Sequence, residues 1–147
     1  MRKNENLKIL TFLFLILMAG CSAYSVETTP YTISADFVME EDSDAYQICG
    51  AEVTFFNWSE KEVTEFEVNF YLFDSDGEPA RECWNLVTFD IVKPLQAGEI
   101  CSLTLSLDTY MTSVPQELLS IDYLFVSKII YSDGSVWEDP YGMAAFM

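Results

Sequence analysis

Residues 63–73 read Val-Thr-Glu-Phe-Glu-Val-Asn-Phe-Tyr-Leu-Phe, with Phe66, Val68, Phe70 and Leu72 at one parity and Glu65, Glu67 and Asn69 at the other. A helix would scatter those side chains around its axis, whereas an extended strand puts one set into a core and the other into water. The same two-residue period recurs in 45–57, with Cys49, Ala51, Val53 and Phe55 on one face, and in 82–92, with Val87, Phe89 and Ile91 against Thr88 and Asp90. It recurs again in 99–107, where Cys101, Leu103, Leu105 and Leu107 oppose Ser102, Thr104 and Ser106. Runs 31–39, 121–131 and 135–138 complete the series. Turn residues separate the runs: the segment 57–61, Asp74-Ser75-Asp76-Gly77, 94–98, and Asp133-Gly134 for a tight closing hairpin. One helical turn is expected, at 115–119.

Seven short strands, each buried on one side, with turns between them predict an all-β fold: an antiparallel, immunoglobulin-like β-sandwich, with a small closed barrel as the alternative. The first residues do not belong to that pattern. Arg2 and Lys3 precede an apolar run, 9–18, that ends in Ala19-Gly20-Cys21. A run of about 10 residues suits a signal-peptide core, since a bilayer-spanning helix needs about 20. The segment Leu17-Met18-Ala19-Gly20-Cys21 resembles the lipobox of bacterial lipoproteins, with Met18 where leucine is usual. The resemblance implies cleavage between Gly20 and Cys21, and a diacylglyceryl group plus an N-acyl chain on Cys21. Ser22, rather than aspartate, resembles an outer-membrane sorting signal in bacteria with two membranes. The organisation expected is therefore a signal peptide at 1–20, a lipid-anchored tether at 21–30 and a sandwich domain at 31–147.

The whole chain carries a net charge of −17, and loss of the signal removes more bases than acids. Phosphate backbones and anionic lipid surfaces are recognised mainly through lysine and arginine, so no nucleic acid partner is expected, and the membrane is reached through the lipid alone. Histidine is absent. That excludes Ser-His-Asp and Cys-His catalytic units and any zinc site that needs imidazole. With Cys21 consumed by lipid, Cys49, Cys83 and Cys101 remain, an odd number that permits at most one internal bridge or leaves small buried core thiols.

The sequence Phe70-Tyr71-Leu72-Phe73-Asp74 resembles the F-x-L-Y-D signature of the FxLYD domains of bacterial exported proteins, with Phe73 in place of the usual tyrosine. Gly50, Val53 and Asn57-Trp58-Ser59 upstream, and Ala97-Gly98-Glu99 downstream, follow in the order of that family. The resemblance spans roughly 45–107. It implies a sandwich fold with no established activity, preceded by the export signal.

Chemistry is sparse. Asp74-Ser75-Asp76-Gly77 invites a calcium loop, yet alignment on Gly77 puts Leu72 and Cys83 at the first and twelfth positions, where an EF-hand needs carboxylates. The acidic run Glu40, Glu41, Asp42 and Asp44 is a weak candidate for calcium, with an exposed charged loop as the plainer reading. A hydrolase built on paired carboxylates has no two acids that single themselves out. Trp84, Trp137 and Tyr141, with Trp58 beside them, are the candidate aromatic ligand surface; core filling is the competing role for the tryptophans. The apolar tail 139–147 either packs on a sheet or offers a strip to a partner. The expected function is a non-catalytic interaction module of the bacterial envelope, without a cofactor and meeting an envelope protein or glycan.

Overall fold

The structure is a computed structural model that describes residues 28–83 and 86–146. Residues 1–20, where a signal peptide is expected, and Cys21 and Trp84 lie outside the described residues. Seven strands are present among the described residues: β1 (Tyr31–Val38), β2 (Gly50–Asn57), β3 (Val63–Phe73), β4 (Leu86–Leu95), β5 (Ile100–Ser106), β6 (Ser120–Tyr131) and β7 (Val136–Glu138). They form two separate antiparallel sheets rather than a closed barrel, one in the order β1-β2-β5 and the other β4-β3-β6-β7. The chain passes between sheets after β2, after β4 and after β5, so strands adjacent in sequence do not all pair.

The alternation seen in the sequence sets which face is inside. Val53 and Phe55 of β2 meet Phe66, Val68, Phe70 and Leu72 of β3 in one core, joined by Val87, Ile91, Val126 and Ile129. Phe55 stacks on Phe66 with ring centroids 4.2 Å apart, and Tyr31 stacks on Phe55 at 5.9 Å, so three rings bridge the two layers. The Tyr31 hydroxyl accepts a hydrogen bond from the Val126 amide at 3.0 Å, which ties the start of β1 to β6 of the other sheet.

Three segments depart from the sequence reading. Strand β2 begins at Gly50, not at residue 45, because 47–49 direct their amides at a side chain 60 residues away: Asp108 accepts Gln47 N at 2.7 Å, Ile48 N at 2.8 Å and Cys49 N at 3.3 Å. The ring of Tyr46 then covers Gly50 so closely that a Cβ there would sit 2.5 Å from it. The fourth strand runs to Leu95 and includes Pro94, which the sequence reading placed in the following turn. β4 is an edge strand opposite a register shift in β3, where a missing amide donor is tolerated. Residues 115–119 form no helix; the single-turn 3-10 helices lie at Asp108–Tyr110 and Met143–Ala145.

Asp108 opens the first of these turns and fastens the loop before β2. Partial desolvation opposes its charge, but the amides of Gln47, Ile48 and Cys49 and the Ser106 hydroxyl outweigh it and hold the carboxyl below its ordinary range. A depressed folded-state pKa contributes stability that is fully present above the unfolded value near 4 and is lost as pH falls through the folded one. Asp108→Ala is expected to lose about 2 kcal/mol at neutral pH, since charge-assisted bonds of this kind contribute roughly 1.5–3 kcal/mol each in favourable cases. Urea titrations from neutral to acid pH check it: the difference between wild type and variant should shrink as the pH is lowered.

Candidate functional site

The outer face of the four-stranded sheet carries a cluster of rings that the inward pattern does not require. Tyr71 and Phe73 project there because they have the opposite parity to Phe70 and Leu72. Across from them β6 is bulged: Asn69 pairs with Phe125 and Tyr71 with Asp122, so one extra residue of β6 is accommodated between the two pairs. Within that interval stands Tyr123, at φ 52°, the one non-glycine residue with positive φ among those described. A tyrosine in the left-handed region is held at a cost of about 1–3 kcal/mol. The Asp122 carboxylate accepts the Tyr123 amide at 2.7 Å and supports the turn.

This bulge aims the Tyr123 ring at its neighbours. Its centroid lies 6.1 Å from Tyr71 in an edge arrangement, 5.9 Å from Phe73, and 6.0 Å from Phe146 of the C-terminal tail. Pro79 completes the wall, brought back by the 74–78 turn so that it bridges to Phe73. Together Tyr71, Phe73, Pro79 and Tyr123 line an open, mainly apolar groove of about 350 Å³. Tyr123 is 53% exposed and Phe146 57%, so the rings remain available at the surface.

The turn beside the groove is ordered by its own carboxylates. Asp74 Oδ1 accepts the amides of Asp76 and Glu78 at 3.0 and 2.9 Å, and Glu117 accepts the Ser75 hydroxyl at 3.0 Å. A polar recess lined by Asp74, Asp76, Arg81, Glu82 and Glu117 adjoins it. Further along the same face Asn69 is buried and donates to Ser127 Oγ at 2.8 Å while accepting from Thr88 Oγ1 at 2.7 Å; Ser127 in turn donates to Glu67. The tail packs onto this face. Its Asp139 amide donates to Ser127 O at 2.8 Å, and Gly142 presses on the Phe125 ring, where a Cβ would approach to 2.7 Å.

Those residues singled out in the sequence that are described are dispersed. Trp137 is half-buried and meets Tyr31 edge-on at 5.6 Å, as part of the shell around the core. Tyr141 is 81% exposed in the tail. Trp58 is exposed, packs edge-on against Phe56 at 4.5 Å and donates its indole N–H to Thr32 Oγ1 at 2.6 Å. No ring contact joins Trp58, Trp137 and Tyr141 to one another among the described residues. Glu40, Glu41, Asp42 and Asp44 are all exposed, and among the described residues no three acidic or cysteine side chains converge as metal ligands do. Cys49 and Cys101 are buried thiols. Burial, reinforced by the Asp108 charge, pushes the Cys49 thiol up to about 12, and burial pushes Cys83 up to about 11, so neither is a nucleophilic thiolate at neutral pH.

The groove escaped the sequence reading although half of its signal was visible. Tyr71 and Phe73 are aromatic residues at the solvent parity of a strand whose other outward positions are acidic or amide side chains. Tyr123 gave no such signal, because neither glycine nor asparagine marks the bulge.

No family model matches the chain, and no curated protein matches it. In three dimensions it is similar to a hypothetical protein from Peptoclostridium difficile 630, with a TM-score of 0.56 and 12% sequence identity over 77% of this chain and 88% of that one. At that identity the likeness concerns the fold alone.

Proposed function

We propose that the chain is a lipid-anchored lipoprotein of the bacterial envelope whose immunoglobulin-like sandwich is a non-catalytic interaction module. The aromatic groove carries this reading. A fold that needed only to be stable would have little use for a tyrosine at φ 52° whose ring lies outside the core, and strain of this kind clusters at binding sites. The division into sheets β1-β2-β5 and β4-β3-β6-β7, with crossings between layers, supports the immunoglobulin-like assignment. The likeness of 70–74 to the FxLYD signature fits the same reading, and it gives Leu72 an inward role while Tyr71 and Phe73 line the groove.

The lipid on Cys21 supplies membrane attachment, with the outer membrane as the destination in a cell that has two. The groove is left to meet an envelope protein or glycan. Two measurements test the proposal separately. Cys21→Ser is expected to abolish incorporation of a fatty acid analogue, and continued labelling removes the anchor. In crosslinked envelopes, Tyr71→Ser and Tyr123→Gly are each expected to lose a partner that wild type captures; Tyr123→Gly relieves φ strain and so separates binding from folding. Capture that is unchanged in both variants removes the groove.

A further inference from the structure

Resting on the groove as the binding site, we infer that its occupant is a cationic peptide segment, a lysine- or arginine-bearing stretch of another envelope protein. Two independent features of the same place carry this. The floor is built from the rings of Tyr71, Phe73 and Tyr123, and an aromatic face attracts a cation through its quadrupole. Carboxylates flank these lining residues along the chain and across the ladder, where Asp122 is the partner of Tyr71. Asp74, Asp76 and Glu78 occupy the turn that links Phe73 to Pro79, both walls of the groove; Asp122 immediately precedes Tyr123; and Glu117 is held to the turn through Ser75.

Arg81 is the single base lining the adjoining recess, against Asp74, Asp76, Glu82 and Glu117, so that recess keeps a negative balance. The groove therefore offers an ammonium or guanidinium group an apolar seat for its methylene stem and acidic surroundings for its head. A neutral sugar would use the rings and leave the flanking carboxylates without a purpose, and an anionic ligand would be repelled by them. The rest of the molecule acts in the same direction. A chain of net charge −17 steers a basic partner toward itself and turns acidic ones away. At about 350 Å³ the groove takes one or two side chains rather than a folded surface, which fits an extended segment.

The test uses the full detergent-solubilised chain and a short fluorescein-labelled peptide of alternating lysine and glycine, with fluorescence anisotropy as the readout. Binding is expected, weakening by about tenfold or more when the lysines are acetylated, because the cation–π and carboxylate contributions are lost together. Neutralising the flanking carboxylates with Asp76→Asn, Glu78→Gln and Asp122→Asn in one protein should weaken binding by about tenfold, while Glu40→Gln, Glu41→Gln and Asp42→Asn, the same charge change in a different loop, should leave it within about twofold. Equal loss in the two triple variants overturns the inference, because it reduces the effect to overall charge. Equal affinity for the acetylated peptide overturns it as well. In the envelope crosslinking experiment, a partner lost in Tyr123→Gly but retained by the protein with those flanking carboxylates neutralised leaves the groove standing as the binding site and removes its cationic occupant. A partner lost in both supports the two together.

Discussion

Phe55→Ala is expected to destabilise the domain by about 3–5 kcal/mol, the range for deleting a fully buried phenylalanine whose surroundings cannot collapse into the gap. Phe55 is 0% exposed and is the middle ring of three, between Tyr31 at 5.9 Å and Phe66 at 4.2 Å. Its removal opens a void between two sheets whose separation is also set by the other buried side chains of the core, so the layers can close only partly on the gap. The loss also reaches Tyr31, whose hydroxyl supports the Val126 amide. Phe56 provides the contrast. It is the next residue along β2 and faces the opposite way, against the exposed Trp58, so Phe56→Ala should cost about 1 kcal/mol. Chemical denaturation of the two variants checks both values, and similar midpoints would contradict the two-layer core.

Asn57→Ala should cost about 3 kcal/mol or more, through polar groups left without partners rather than through volume. The Asn57 side chain is fully buried at the end of β2. Its Nδ2 donates to Lys61 O at 2.8 Å, Gln96 O at 3.1 Å and Leu95 O at 3.2 Å, while Oδ1 accepts the Ser59 amide at 3.0 Å and the Ser59 hydroxyl at 2.6 Å. One amide thereby closes the β2–β3 turn and pins it to the end of β4 and the turn that follows, the two places where the chain crosses between the sheets. Alanine leaves the buried Leu95 carbonyl without this donor, at a desolvation penalty of about 1–3 kcal/mol, and removes the part-buried bonds to Lys61, Gln96 and Ser59 as well. Asn57→Asp is the sharper control, because it replaces the donor with an acceptor facing three carbonyl oxygens. It should be at least as damaging as alanine at neutral pH and recover partly in acid, where a protonated carboxyl can donate once. Equilibrium unfolding at two pH values reads out both effects.

How much of this was legible beforehand depended on whether a residue's neighbours in space are also its neighbours in sequence. The inward set of β3, Phe66, Val68, Phe70 and Leu72, was readable because alternation is local, and those residues are all buried. The strand limits were not readable where a distant group decides them. Gln47, Ile48 and Cys49 leave the extended pattern because Asp108 collects their amides. Pro94 stays in β4 because that strand lies at an edge, a fact about sheet order. Whether Trp137 fills the core or faces a ligand is not decided locally either: Tyr31 from the other sheet reaches its ring. The groove was half legible: the parity of Tyr71 and Phe73 pointed to it, whereas the bulge that presents Tyr123 arises from an unequal residue count between two paired strands.

Under the proposed binding role, Tyr123 also separates two kinds of selection on one chain. Folding alone favours glycine or asparagine at a backbone position with φ 52°, and nothing in the core depends on the ring that stands there. Random substitution at this position, followed by sorting for expression alone, should drift toward those small residues. Sorting for capture of a partner should return the aromatic ones. Position 123 thus serves as a gauge of use: the identity that a lineage keeps there records whether its groove is still employed.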